Sequence, residues 1–205
     1  MTPDQIAALF IGADGRYRFA RWGRPIVPVV FGVDDATLPV IKGAIEAVVQ
    51  RAGHQMTDMD AELGANLLMF FFRDWDELPG VPNLTALVPD LAALCARLQA
   101  ADANQYRSFR RDETGAIRAA FVFVRLDGAL ADTPAEVIAL AQAVQVMLLW
   151  ADGAFAGSSP LGLVDGVAVV RPEIAAVIQA GYNPVLPMVS DDPAHAYRLA
   201  ARVAA

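Results

Sequence analysis

The sequence predicts an α+β fold, a mixed sheet with helices packed on it, in a single domain over residues 1–205. Three observations carry that prediction. Residues 65–72, ANLLMFFF, are a continuous apolar run bounded by polar residues, short enough for a central strand covered on both faces. QYRSFRR and IRAAFVFVRL flank the turn residues DETG, which makes a β-hairpin. Thr133-Pro134-Ala135-Glu136 is a capping box with proline at the first helical position. The residues from there to Trp150 are apolar around most of a helical circumference, so a helix over about 134–150 should be central. Within it, ALAQAVQVMLLW keeps only two polar residues, Gln142 and Gln145.

The other elements follow in chain order. Residues 1–16 read as an N-terminal arm. RYRFARW and PIVPVVFG read as extended chain, with Pro25 and Pro28 pushing the second segment toward a sheet edge or a strand start. Gly32 and Asp34-Asp35 make a turn into a helix over 37–52, whose stripe is Ile41, Ala44, Ile45 and Val48 and whose stop is Gly53. HQMTDMDAELG is a polar connection, and RDWDELPGVPN a loop. Residues 85–98 are helical with a break at Pro89; Leu91, Leu94, Cys95 and Leu98 form the inner stripe. Residues 151–205 are a loop-rich C-terminal part with two helices. ADGAFAGSSPLGLVDG is a loop and VAVV a short strand. PEIAAVIQAG is a helix between Pro172 and Gly181, and the last helix starts at Asp192-Pro193.

Composition bounds the function. Hydrophobic residues make up 56% and charged residues 19%, a globular balance. The formal net charge of −7 opposes nucleic-acid binding. Arg107, Arg110, Arg111, Arg118 and Arg125 crowd one region, interspersed with Asp112 and Glu113, and read as the solvated face of the hairpin, with an anion site as the alternative. Cys95 is the only cysteine and lies among apolar residues, so it reads as a buried, inert thiol. The N-terminus lacks a basic region before its short apolar run and does not read as a signal peptide. As the chain stands the expectation is cytoplasmic; a removed leader would make it periplasmic. The apolar stretch 137–150 is too short for a transmembrane helix.

The order RPIVPVVFG, helix 36–52, ANLLMFFF, GAIRAAFVFV and helix 133–150 resembles the zincin or metallopeptidase-like fold. More narrowly, residues 20–200 resemble a proteobacterial zincin-like family of unknown function that includes lipoproteins. That family carries Glu-Glu-Leu-Thr-Gln and then Asn-Asp on its central helix; here AQAVQ (141–145) is followed by VMLL and WAD, ending at Asp152. Its Leu-Tyr-Asp-Pro segment leading to Gly-Met resembles Gly181-Tyr182-Asn183-Pro184 leading to Pro187-Met188.

Zincin hydrolysis needs two histidines at i and i+4 aimed at one metal, and a glutamate to activate the metal-bound water. On the register the resemblance implies, Ala141 holds the first ligand position, Gln142 the base position and Gln145 the second ligand position. Alanine cannot bind a metal, and a neutral amide is no base. The expectation is a catalytically inactive binding or scaffold domain with no catalytic residue, no metal ligand and no cofactor. Its partner would be a peptide or protein, held in a groove between the IRAAFVFV strand and the central helix beside Gln142, Gln145 and Asp152. On the residues alone the two amides read as rim residues satisfying nearby backbone groups in preference to contacting a ligand.

Two alternatives stay open: a hydrolase with an unconventional carboxylate or metal site, and a structural homo-oligomer subunit. The first would need the acids Asp58, Asp60, Glu62 or Asp74, Asp76, Glu77 to converge with Gln145 or Asp152. His195, in the first turn of the last helix, reads as a capping or surface residue; His54 follows a helix stop, and neither falls on the central helix. Ser158 and Ser159 lack a nucleophile-elbow context.

Overall fold

The computed structural model describes residues 1–204, apart from the side chain of Ala129. The N-terminal residues are not an arm. Thr2 and Gln5 form a reciprocal capping box that opens α1 (Pro3–Ala8). Ile6, Leu9 and Phe10 behind it are buried, and Phe10 stacks on Trp150 with ring centroids 5.2 Å apart. A short β1 (Phe19–Ala20) follows, then β2 (Pro28–Phe31) and α2 (Thr37–Arg51), which buries Ile41, Ile45, Val48 and Val49. Next come β3 (Leu67–Phe72), α3 (Leu84–Leu87) and α4 (Leu91–Ala100), the two helices separated at Pro89 as the sequence predicts. The hairpin is β4 (Gln105–Arg111) and β5 (Ile117–Arg125). A short α5 (Gly128–Ala131) leads to the central helix α6 (Ala135–Met147). Helix α6 is shorter than expected: Pro134 takes the cap position, and Leu148 turns extended to bridge Arg21.

The C-terminal part has more order than its loop-rich reading. Strands β6 (Leu161–Val164) and β7 (Val167–Val170) pair antiparallel before α7 (Pro172–Gly181), β8 (Val189–Ser190) and α8 (His195–Val203). Asp165 and Gly166 between β6 and β7 both have positive φ, 50° and 81°, as a two-residue hairpin turn requires.

The main sheet is mixed, in the order β2-β3-β5-β4, with β2, β3 and β5 parallel and β4 antiparallel to β5. Strand β3 alternates its burial. Leu67, Met69 and Phe71 join Ile45, Val122, Val144 and Ile178 in one core, while Phe70 and Phe72 join Trp75, Leu91, Phe121 and Phe123 in the other. Helices therefore cover both faces of the sheet rather than one. Asn66 locks β2 beside β3. It has no exposed surface, its Oδ1 accepts from the Val27 N–H at 2.8 Å, and its Nδ2 donates to the Pro25 carbonyl at 2.8 Å.

His195 is not a surface group, and His54 is half-buried. His54 Nε2 lies 2.9 Å from the Arg24 carbonyl oxygen and its ring packs on Tyr182. His195 has no exposed surface; its Nδ1 lies 2.9 Å from the Tyr17 hydroxyl, and Phe19 packs against the ring. Burial pushes the His195 imidazole down from 6.5 to about 4, with the nearby Arg198 charge acting in the same direction. The unfolded chain thus binds this proton more readily than the folded one. Stability from His195 is complete above pH 6.5, declines as the pH falls, and is fully lost below about 4. Between pH 7.5 and pH 5 the wild type should lose about 2 kcal/mol more than His195→Gln, read by urea denaturation. Parallel losses in the two proteins would assign the effect to other groups, His54 among them.

Candidate functional site

Strand β4 is the free edge of the sheet. It pairs with β5 alone, and the Arg125 N–H donates to the Asn104 carbonyl at 2.8 Å at the start of that ladder. Antiparallel alternation then turns the main-chain groups of Tyr106, Ser108 and Arg110 toward β5 and those of Gln105, Arg107 and Phe109 outward. Among the described residues those outward groups have no main-chain partner beyond the sheet. The expected groove beside the IRAAFVFV strand is accordingly misplaced by one strand. That segment is β5, which lies between β3 and β4 in the sheet interior, so the edge belongs to QYRSFRR.

A cavity flanks each face of this edge. The one beside α6, about 800 Å³, is lined by Gln105, Arg107, Gln145, Trp150, Asp152 and Phe155, among others. The one beside α4, about 660 Å³, is lined by Leu87, Leu94, Arg97, Tyr106, Ser108 and Arg110, among others. Gln105 and Arg107 line only the first and Ser108 and Arg110 only the second, while Arg97, Tyr106 and Phe109 border both. Gln105, Arg107 and Phe109 share one face of β4, and Tyr106, Ser108 and Arg110 the other.

Of the three site residues read from sequence, Gln145 and Asp152 line the α6 cavity, while Gln142 sits behind it. Gln145 makes only a local contact, its Nε2 donating to the Ala141 carbonyl at 3.2 Å. Gln142 is 1% exposed. Its Oε1 accepts from Arg107 Nη1 at 2.9 Å, and its Nε2 donates to Gln105 Oε1 at 2.8 Å. The buried amide of the central helix thus holds the side chains of the edge strand, not a rim of backbone groups.

Arg107 lines this cavity, although its cluster reads from sequence as a solvated face. The cluster read as one solvated face divides by partner. Arg118 pairs with Glu62, Arg125 pairs with Asp102 at 2.7 Å and Asp127 at 2.6 Å, and Arg110 donates to the Leu87 carbonyl. Arg107 turns inward instead. Burial pushes its guanidinium down to about 10, with the Asp152 charge acting in the opposite direction, so it stays protonated at neutral pH.

The acidic clusters do not reach this cavity. Asp60 accepts from the main-chain N–H groups of Glu62 and Leu63, and pairs with Arg24 at 3.2 Å. Asp74 and Glu77 form a capping box on a 3-10 turn over Trp75–Gly80, where the sequence suggests only a loop. Among the described residues Asp152 is the one carboxylate lining the α6 cavity, and no group of three or more His, Cys, Asp or Glu gathers at metal-binding range. Ser158 is bonded to Arg171, and the Ser159 hydroxyl accepts from the Leu161 N–H at 3.1 Å. Cys95 is buried, with its thiol pushed up by desolvation. No helix among the described residues is long and apolar enough to cross a membrane.

The chain matches no protein-family model, no curated protein and no solved structure.

Proposed function

We propose that this protein is a catalytically inactive, zincin-like binding domain that holds an extended peptide segment along β4. The observation that carries the reading is an unpaired edge strand with a cavity on each face. A strand added to such an edge makes main-chain hydrogen bonds for affinity and places alternate side chains in the two cavities for specificity. Inactivity rests on residue chemistry: on the register the resemblance implies, Ala141, Gln142 and Gln145 stand where a zincin would need two imidazoles and a carboxylate. A partner segment needs no catalyst to bind there.

Panning a displayed ten-residue peptide library on the full chain tests the reading. Enriched peptides should lose binding on Arg107→Pro or Phe109→Pro, either of which removes an outward N–H from β4. Enrichment that is indifferent to both substitutions would refute it. In parallel, protein incubated with zinc and then dialysed should retain well under one metal per chain by mass spectrometry. One tightly held zinc per chain would overturn the inactive assignment.

A further inference from the structure

We propose that Arg107 is a carboxylate-recognition residue, selecting segments that present an Asp or Glu side chain to the α6 cavity. This rests on the reading of β4 as a peptide-binding edge and specifies the chemistry of what that edge accepts.

The geometry of one guanidinium carries the inference. Arg107 Nη1 is occupied: it donates to Gln142 Oε1 at 2.9 Å and lies 3.4 Å from Gln105 Oε1. Its Nε and Nη2 have no acceptor among the described residues, and neither is a sealed, orphaned atom; the sealed arginine nitrogens belong to Arg21, Arg118 and Arg125. Both therefore keep accessible surface, on a side chain that lines the α6 cavity. Nε–H and Nη2–H form the parallel edge of the guanidinium fork, which matches the two oxygens of a carboxylate. The amides of Gln142 and Gln105, bonded to each other at 2.8 Å, fix the plane of that fork in advance.

Charge points the same way. Among the described residues Arg107 makes no ion pair, although burial has stripped much of its hydration. The two cavities are lined by Arg97, Arg107, Arg110 and Arg111 against Asp90 and Asp152, a local positive excess on a chain of net charge −7. One guanidinium with Asp152 nearby suits a single negative charge; a phosphate dianion would meet Asp152 as well.

Peptides enriched by panning on the wild type should share an Asp or Glu at one fixed position. Changing that acid to its amide should weaken binding by about 10- to 100-fold on the wild type, and less than about 2-fold on Arg107→Met, by calorimetry. Binders with no acidic position, or an equal loss on both proteins, would overturn the assignment and leave the edge reading standing. Should Arg107→Met fail to fold, Arg107→Lys replaces it, keeping the charge and losing the fork. Should panning yield no binder, the edge reading fails, and N-acetylaspartate α-methylamide, which carries one side-chain carboxylate, titrated against the Arg107 Nε–H resonance decides Arg107 alone. A saturable shift, absent with inorganic phosphate, sustains a carboxylate site; no shift, or one with phosphate as well, overturns it.

Discussion

Gly32→Ala should destabilise the protein by more than about 4 kcal/mol, enough to prevent recovery of folded chain at 37 °C. Gly32 leaves β2 with φ at +80°, in the left-handed region. A Cβ there would lie 1.8 Å from the carbonyl oxygen of Phe71. That oxygen belongs to the backbone of β3, the central strand, so neither a rotamer change nor a small loop shift relieves the overlap. The end of β2 must part from β3 or the left-handed turn must open, and either disrupts the parallel pair on which α2 is hung. Gly15→Ala separates the two contributions. Its φ is +74° but no atom lies within 4 Å of the added methyl, so only the backbone strain of about 1 kcal/mol applies. Urea denaturation compares the two, and a Gly32→Ala loss no larger than that of Gly15→Ala would show that β2 is not clamped as described.

Gln142→Leu should cost about 2 kcal/mol, although leucine keeps most of the volume and suits an apolar helix better. The loss comes from leaving the desolvated Arg107 without its acceptor and Gln105 Oε1 without its 2.8 Å donor. Gln142→Glu should keep the fold, since a carboxylate at that position accepts from the same guanidinium. It should nevertheless abolish binding of acidic segments, because the fork would be neutralised from behind. A loss below about 0.5 kcal/mol for Gln142→Leu would return Gln142 to the status of a rim residue.

Much of this architecture is legible in local pattern. ANLLMFFF reads as a strand covered on both faces, and β3 does feed two cores. The stripe Ile41, Ile45, Val48 and the stop at Gly53 place α2 to within a residue. Periodicity is silent where tertiary contacts decide. Leu148 continues the apolar run of α6 yet leaves the helix, because its backbone is taken up by the Arg21 bridge. His195 occupies an ordinary first-turn position, and only the packing of α8 against α1 and Tyr17 buries it. The β6–β7 hairpin had a signal: Asp165-Gly166 separates LGLV from VAVV, a two-residue turn between apolar strands.

The site was half legible. The apolar run after Thr133-Pro134 puts Gln142 and Gln145 on the helix that borders the groove. Strand alternation also puts Gln105, Arg107 and Phe109 on one face of β4, but not whether that face looks at water or at α6. A run of arginines next to a turn reads as solvated until a helix is known to lie over it. Likewise, which strand of the hairpin is the edge depends on whether β3 pairs with β4 or with β5, a long-range choice absent from either strand's own sequence.

The most direct test of the central claim is amide hydrogen exchange of β4, read residue by residue with and without the tightest peptide from panning. Bound peptide should newly protect the amides of Gln105, Arg107 and Phe109. Those of Tyr106, Ser108 and Arg110, already turned toward β5, should change little. Protection confined to other elements, or spread evenly along β4 without alternation, would contradict strand addition at this edge.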